Sequence, residues 1–151
     1  MSVIARLCVA VTIAMFPLIA HAAQELVTLN TRSGVNLPVL VMTPKDPPQG
    51  TVLLFPGAGG RGFSLDRTGK VKPGNNFLVR TAPMFVDRGF AAAIVSVPSD
   101  QPMGMSDQFR TSREHVEDIA KVIDLLAKGG PGWDSSNLIC KCHGRYACKR
   151  G

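Results

Sequence analysis

The sequence predicts an α/β fold in which an N-terminal β-hairpin leads into parallel strands joined by crossover helices. Two short apolar runs, Thr51–Phe55 and Ala91–Val97, are bounded by Gly or Pro and predict strands that are buried on both faces of a sheet. A segment with helical spacing of its apolar residues, Thr111–Lys128, follows the second run. Strands that alternate with helices in this order are typical of a parallel sheet with helical crossovers.

The hairpin is predicted from the residues before the first buried strand. Glu25–Thr31 alternates in a way that favours an edge strand, and Ser33-Gly34 then turns the chain. Leu37–Met42 predicts the second strand, and Pro38 suggests that this strand also lies at an edge. Three prolines and a glycine make residues 43–50 a loop.

Two helices are predicted after the first buried strand. Residues 61–76 hold several Gly and Pro residues and predict a long irregular loop. Phe77–Asp87 has helical spacing, and Pro83 either kinks this helix or lies in its first turn behind Thr81 as the N-cap. In the second helix, Thr111 and Glu114 have the spacing of a capping box.

The first 22 residues have the pattern of a secretory signal. Arg6 supplies a positive charge, Leu7–Ala20 is apolar, and Ala20-His21-Ala22 is a small-x-small cleavage site. The apolar run has about 14 residues, fewer than the roughly 20 that a membrane-spanning helix needs. We therefore expect cleavage after Ala22, a secreted or periplasmic protein, and no membrane anchor in the mature chain.

The basic composition does not indicate a nucleic-acid partner. The formal net charge is +6, but residues 23–137 hold 12 Lys and Arg against 11 Asp and Glu. The excess lies mainly in residues 138–151, which contain four basic residues and no acid. A nearly neutral body with a basic end carries no stripe of positive charge along the predicted fold.

The first buried strand runs directly into the glycine loop, Gly57-Ala58-Gly59-Gly60, where backbone N–H groups can approach a ligand. A phosphate site, an oxyanion hole and a simple tight turn are the three interpretations. Gly57, Gly59 and Gly62 fit G-x-G-x-x-G, but no helix begins at Gly62 and no acid ends the next strand about 20 residues later, which disfavours a dinucleotide cofactor. No G-K-[ST] follows, so the loop is not a P-loop.

The predicted series of strands, glycine loop and helices resembles the N-terminal half of an α/β-hydrolase over roughly residues 25–130. The likeness rests on the hairpin, the segment Leu53–Gly60, the following strand with Pro98-Ser99-Asp100, and the capped helix. Pro56 stands where the family often has a histidine. The resemblance implies that the N–H of Ala58 or Gly59 binds the oxygen of an attacked carbonyl. It also implies a serine mechanism on a small-molecule ester or related carbonyl substrate, with no cofactor.

The family pattern is incomplete after Lys128. A strand and a G-x-S-x-G turn are expected there, but the segment contains only Ser135 and Ser136 without flanking glycines. Ser136 is the candidate nucleophile only because of its position in the sequence, since no motif surrounds it. His115 is expected to be a solvated residue on a surface helix rather than a general base. No complete triad can be assembled, so we expect a chain that lacks the catalytic C-terminal half and is inactive alone.

Residues 131–151 form a basic tail of different character. Cys140, Cys142, His143 and Cys148 are candidate zinc ligands, although their spacing is unusual. In an oxidising compartment the three cysteines would instead give one disulfide, of unassigned pairing, and an odd thiol. A third interpretation, which we favour, is a truncation or an altered reading frame. The competing functions are a non-catalytic binding or vestigial half-domain and a small metal-binding tail protein. An unprotected sheet edge also predicts self-association.

Overall fold

A computed structural model describes residues 23–128 and the strand at 138–142 of the chain. Five strands form one mixed sheet in the order β1-β2-β6-β3-β7, and β4 and β5 form a separate small hairpin. The elements are β1 (Ala23–Arg32), β2 (Val35–Thr43), β3 (Thr51–Phe55), β4 (Phe63–Leu65), β5 (Val71–Pro73), α1 (Phe77–Val86), β6 (Ala91–Val95), α2 (Asp107–Arg110), α3 (Arg113–Lys128) and β7 (Leu138–Cys142).

The sheet joins an antiparallel hairpin to three parallel strands. β1 pairs antiparallel with β2, and β2 pairs antiparallel with β6. β3 pairs in parallel with β6 on one side and with β7 on the other. β1, β6, β3 and β7 therefore run in the same direction, and they end at one edge of the sheet, which we call the carboxyl edge. The predicted α/β class is confirmed at this level: the structure combines helices with a mixed sheet.

The two long helices cover opposite faces of the sheet. Side chains alternate along β3, so that Val52 and Leu54 face α1 while Leu53 and Phe55 face α3. All five residues of β3 and all five of β6 are buried, as expected for strands with a helix on each face. The apolar runs in the sequence therefore correspond to a three-layer core.

Several boundaries differ from the sequence expectations. β2 lies between β1 and β6 rather than at an edge, and Pro38 is tolerated because the pairing with β6 begins only at Val39. α1 begins after Asn76, whose side chain accepts a hydrogen bond from the N–H of Leu78, so Thr81 is not the N-cap and Pro83 lies inside the helix. Residues 61–76 are not wholly irregular, because they contain the β4–β5 hairpin.

The N-cap of α3 is one residue later than predicted. Ser112 Oγ accepts a hydrogen bond from the N–H of His115 at 3.3 Å, which is the geometry of an N-cap. Thr111 instead ends α2, where its hydroxyl donates to the carbonyl groups of Asp107 and Gln108. The hydroxyl that caps α3 is therefore that of Ser112, and the capping-box assignment to Thr111 is wrong.

β7 corrects the expectation that no strand follows the second helix. Leu138 pairs with Thr51 and Cys142 pairs with Phe55, so the strand covers the full length of β3. The unprotected edge was expected at the strand Ala91–Val97 or at whatever follows it; β6 is internal, and β7, which follows it, is last in the strand order. The predicted signal peptide, Ser135, Ser136, His143 and Cys148 lie outside the described residues, so the interpretations that depend on them stay predictions. No helix within the described ranges is long and apolar enough to cross a bilayer.

Candidate functional site at the carboxyl edge

The glycine loop leaves the carboxyl end of β3 and makes one turn of 3-10 helix at Ala58–Gly60. Gly59 and Gly60 have φ angles of 82° and 89°, a region that only glycine adopts without strain. A Cβ on Gly60 would also collide with the side chain of Met105. The positive φ angles favour glycine at both positions, and at Gly60 the end of the Met105 side chain would also have to move to admit a Cβ.

Three hydrogen bonds hold the loop in place. The N–H of Met105 donates to the carbonyl of Gly59 at 2.8 Å, and the N–H of Gly60 donates to Gly57 at 3.1 Å. The guanidinium of Arg110 donates to the carbonyl of Pro56 at 3.2 Å. In the part of the chain that the structure describes, the N–H of Gly59 makes no hydrogen bond to another residue. The bonds to the carbonyl groups of Gly57 and Gly59 hold the peptide groups on both sides of the one that carries the Gly59 N–H.

A buried ion pair lies at the same edge, on the α3 side. Arg32 at the end of β1 donates from Nε and Nη2 to the two carboxylate oxygens of Asp118, at 2.8 and 2.9 Å. Its Nη1 donates to Asp100 at 2.8 Å. The side chains of Arg32 and Asp118 are 15% and 1% exposed. The hydrogen bond with Asp118, followed by that with Asp100, holds the pKa of Arg32 well above its ordinary value.

His115 packs beside this ion pair instead of pointing into solvent. Its ring centroid is 5.6 Å from that of Phe109 and 6.5 Å from that of Phe55, and the guanidinium of Arg32 lies 5.8 Å from the Phe109 centroid. Burial lowers the pKa of His115 below its ordinary value of 6.5. The expectation of a solvated histidine is therefore wrong, because α2 folds back over the first turn of α3.

An open groove of about 560 Å³ lies along residues 100–114, next to Arg32. Its lining combines a guanidinium, carboxylates, amides and hydroxyls with one aromatic ring: Arg32, Asp100, Gln101, Ser106, Gln108, Phe109, Ser112 and Glu114. Met105 and Arg110, from the same segment, bond to the glycine loop and to Pro56 before it. The residues that line the groove do not include those of the glycine loop.

The structure brings together some of the predicted site residues and adds others. Ala58 and Gly59 lie at the carboxyl edge, whereas Ser136 is outside the described residues. Sequence analysis missed Arg32 and Asp118. One signal was available, since Asp118 occupies the apolar stripe of α3 together with Val122 and Leu126. A carboxylate in such a stripe requires a buried partner.

A metal centre has no support in the described ranges, where no three His, Cys, Asp or Glu side chains come together. The zinc interpretation of the tail depends on His143 and Cys148, which are outside those ranges.

Comparison with known proteins gives little. No family model matches the sequence, and no curated protein matches it. Among solved structures, a glucuronoyl esterase from Solibacter usitatus is similar with a TM-score of 0.44 and 14% sequence identity. The match covers 82% of this chain and 42% of that chain, so this chain spans less than half of its length. A likeness this distant identifies neither a family nor an activity.

Proposed function

We propose that the carboxyl edge is the carbonyl-oxygen-binding half of an α/β-hydrolase-like site. The observation that carries this proposal is the glycine loop, which follows the buried strand β3, precedes α1 and holds the N–H of Gly59 in a fixed position. In hydrolases of this kind, a loop between the third strand and the first helix supplies one donor of the oxyanion hole. A donor fixed before the reaction stabilises developing charge without reorganisation.

The position of β7 bears on whether this chain carries the nucleophile of such a site. Cys142 at the end of β7 pairs with Phe55 at the end of β3, so the chain leaves β7 beside the glycine loop. A hydrolase nucleophile occupies a turn directly after such a strand. The sequence there is His143-Gly144-Arg145, which contains no serine. Ser136 precedes β7, whose first residue pairs with Thr51 at the opposite end of β3. We therefore propose that this chain does not hydrolyse esters.

A non-catalytic binding function is the second candidate, and the groove favours it. A volume of about 560 Å³ is within the roughly 300–1,000 Å³ that small-molecule sites occupy. The groove is separate from the glycine loop, so a ligand bound there would contact Gln101 or Gln108 and not Gly59.

Titration with methylphosphonate, a small tetrahedral oxyanion, tests the proposed role of the loop by amide NMR. We expect saturable shifts at the amides of Ala58 and Gly59. The amides of Gly34 and Gly69 are the matched control, because both have a positive φ and an open surface. Equal shifts at all four glycine-region amides, or none at Gly59, would contradict the proposal. Shifts confined to Gln101 and Gln108 would favour the binding function.

Ester turnover tests the proposed inactivity. With p-nitrophenyl acetate, the full chain is expected to give the rate of the buffer, and a serine-directed fluorophosphonate is expected to leave it unlabelled. Labelling that disappears in Ser136→Ala but persists in Ser135→Ala would identify Ser136 as a nucleophile. That result would overturn the inactivity without affecting the proposed role of Gly59.

A further inference from the structure

His115 connects three elements at the carboxyl edge. Its backbone N–H is capped by Ser112, and its ring lies between Phe55 at the end of β3 and Phe109 in α2. Nδ1 is buried and makes no hydrogen bond in the described part of the chain. A neutral imidazole tolerates this environment because its unprotonated nitrogen carries no hydrogen that must be donated.

An imidazolium in the same place would leave its Nδ1–H without a hydrogen-bond acceptor. Protonation turns both ring nitrogens into donors, and a buried donor without an acceptor destabilises the structure that encloses it. The charged groups that act on the ring are Asp118 on α3, Arg110 at the end of α2 and Arg32 on β1. Asp118 attracts the positive charge, but both of its oxygens already accept from Arg32. Arg110 and Arg32 repel it.

The segment that packs on His115 also holds the glycine loop. Phe109 contacts the imidazole, and the adjacent Arg110 donates to the carbonyl of Pro56. Met105, directly before the N-cap Ser106 of α2, donates to the carbonyl of Gly59. A displacement of α2 from the ring would therefore remove the hydrogen bonds that fix the loop.

We propose that His115 is an acid-sensitive latch, whose protonation releases residues 105–112 from the carboxyl edge and frees the glycine loop. Packed and released states differ in whether Nδ1 of the imidazole can reach water, so protons bind more tightly to the released state and shift the population toward it. The latch is independent of the proposed function, because it depends on the packing of α2 and not on any ligand.

The direction of the pH effect follows from burial. Because burial lowers the pKa of His115 below 6.5, the released or unfolded chain binds more protons than the packed chain as the pH falls below that value. The stability that neutral His115 allows is fully present above pH 6.5 and is lost as the pH falls toward the lowered pKa. The latch is therefore closed at neutral pH and opens in acid.

Amide hydrogen exchange and a histidine NMR titration of the full chain test the latch together. Between pH 7 and pH 5, after correction for intrinsic exchange, the protection of the Met105 and Arg110 amides is expected to fall at least ten-fold. The Leu53 amide in β3 is expected to change several-fold less, because β3 stays packed. The fall should have the same midpoint as the titration of the His115 ring. A different midpoint, or an equal fall at Leu53, would overturn the proposal.

Two substitutions assign the effect to one histidine. His115→Phe keeps an aromatic ring between Phe55 and Phe109 and is expected to abolish the loss of protection at pH 5. His143→Phe is the matched control and should retain it. If His115→Phe keeps the pH dependence, or if His143→Phe removes it, the latch is not His115. If His115→Phe does not fold, the unsubstituted chain still tests the latch, because its His115 titration and its loss of protection must have the same midpoint.

Discussion

The two faces of the sheet are built differently. The face under α1 carries an apolar cluster that includes Leu40, Leu54, Val79, Ala82 and Ile94. The face under α3 has a comparable apolar core, but toward the carboxyl edge it also contains the Arg32–Asp118 ion pair and His115. The Thr31 hydroxyl and His115 Nδ1 are buried without a partner in the described part of the chain.

The two faces therefore contribute differently to stability. A buried polar group is less favourable than an apolar group of the same size unless it is fully hydrogen-bonded, so the α3 face contributes less to the free energy of unfolding near the carboxyl edge. Such departures from an apolar core concentrate at functional sites. The α1 side provides a rigid support, and the α3 side holds the groups that respond to charge and pH.

Asp118→Ala is expected to have the largest effect, because it leaves the charge of Arg32 buried beside an empty space. Breaking a buried pair from one side typically costs about 3–5 kcal/mol. We expect about 3 kcal/mol, at the lower end of that range, because Asp100 still accepts from Arg32. Urea unfolding measures the change in the free energy of unfolding.

The double variant Arg32→Met with Asp118→Leu is the control for that measurement. Replacing both charges by apolar groups is expected to restore most of the lost stability, since well-packed apolar substitutes for buried ion pairs are often neutral or stabilising. A double variant less stable than Asp118→Ala would show that the ion pair is a net stabiliser. The contrast between the two faces would then have to be abandoned.

Leu53→Ala and Leu54→Ala compare the two apolar cores with neighbouring residues. Both side chains are fully buried in β3, but Leu53 faces α3 and Leu54 faces α1. Each substitution leaves a cavity and is expected to lower the free energy of unfolding by about 3 kcal/mol. The losses of the two variants, measured by thermal and urea unfolding, should agree within about 0.5 kcal/mol. A much smaller loss for Leu53→Ala would show that the α3 side is loosely packed.

Gly60→Ala tests how tightly the glycine loop is held. Its φ of 89° disfavours alanine, and the new Cβ would meet the side chain of Met105 and lie 3.3 Å from Arg110 Nη2. We expect a loss of about 2 kcal/mol, because backbone strain and crowding both contribute. Gly34→Ala is the matched control, since its φ is 71° and no atom lies within 4 Å of the new Cβ. It is expected to cost about 1 kcal/mol, and an equal loss at both positions would mean that Met105 moves freely.

Substitutions at the helix N-caps are expected to have the smallest effects. Asn76 accepts from the N–H of Leu78 at 3.0 Å at the start of α1, and Ser112 accepts from His115 at 3.3 Å at the start of α3. Each change to Ala should cost about 1 kcal/mol in thermal unfolding. Ser112→Ala is also expected to increase amide exchange at His115, whereas Asn76→Ala should leave that amide unchanged.

Local sequence patterns were sufficient for the strands and helices of the core. The run Thr51–Phe55 is apolar at every position, and it is a strand with a helix on each face. The apolar spacing predicted α3 as a helix, but its fully buried positions, Asp118, Val122 and Leu126, are known only from the structure. Caps were less certain, because Thr111 and Ser112 are adjacent hydroxyl residues and only the helix geometry shows which of them accepts from the N–H of His115. β7 was missed because Leu138–Cys142 is short and includes Lys141, so its pattern is not clearly that of a strand.

The sequence by itself determined the glycine loop, because a buried strand followed by Gly57, Gly59 and Gly60 restricts the backbone within a few residues of itself. Only the tertiary structure decided which side chains surround that loop. Arg32 and Asp118 are 86 residues apart in the chain, and their contact depends on β1 and α3 meeting at one edge of the sheet. His115 is half-buried for the same reason, since Phe55 and Phe109 come from other elements. Local patterns contain backbone preferences, whereas the pairing and burial of charged groups depend on contacts between distant segments.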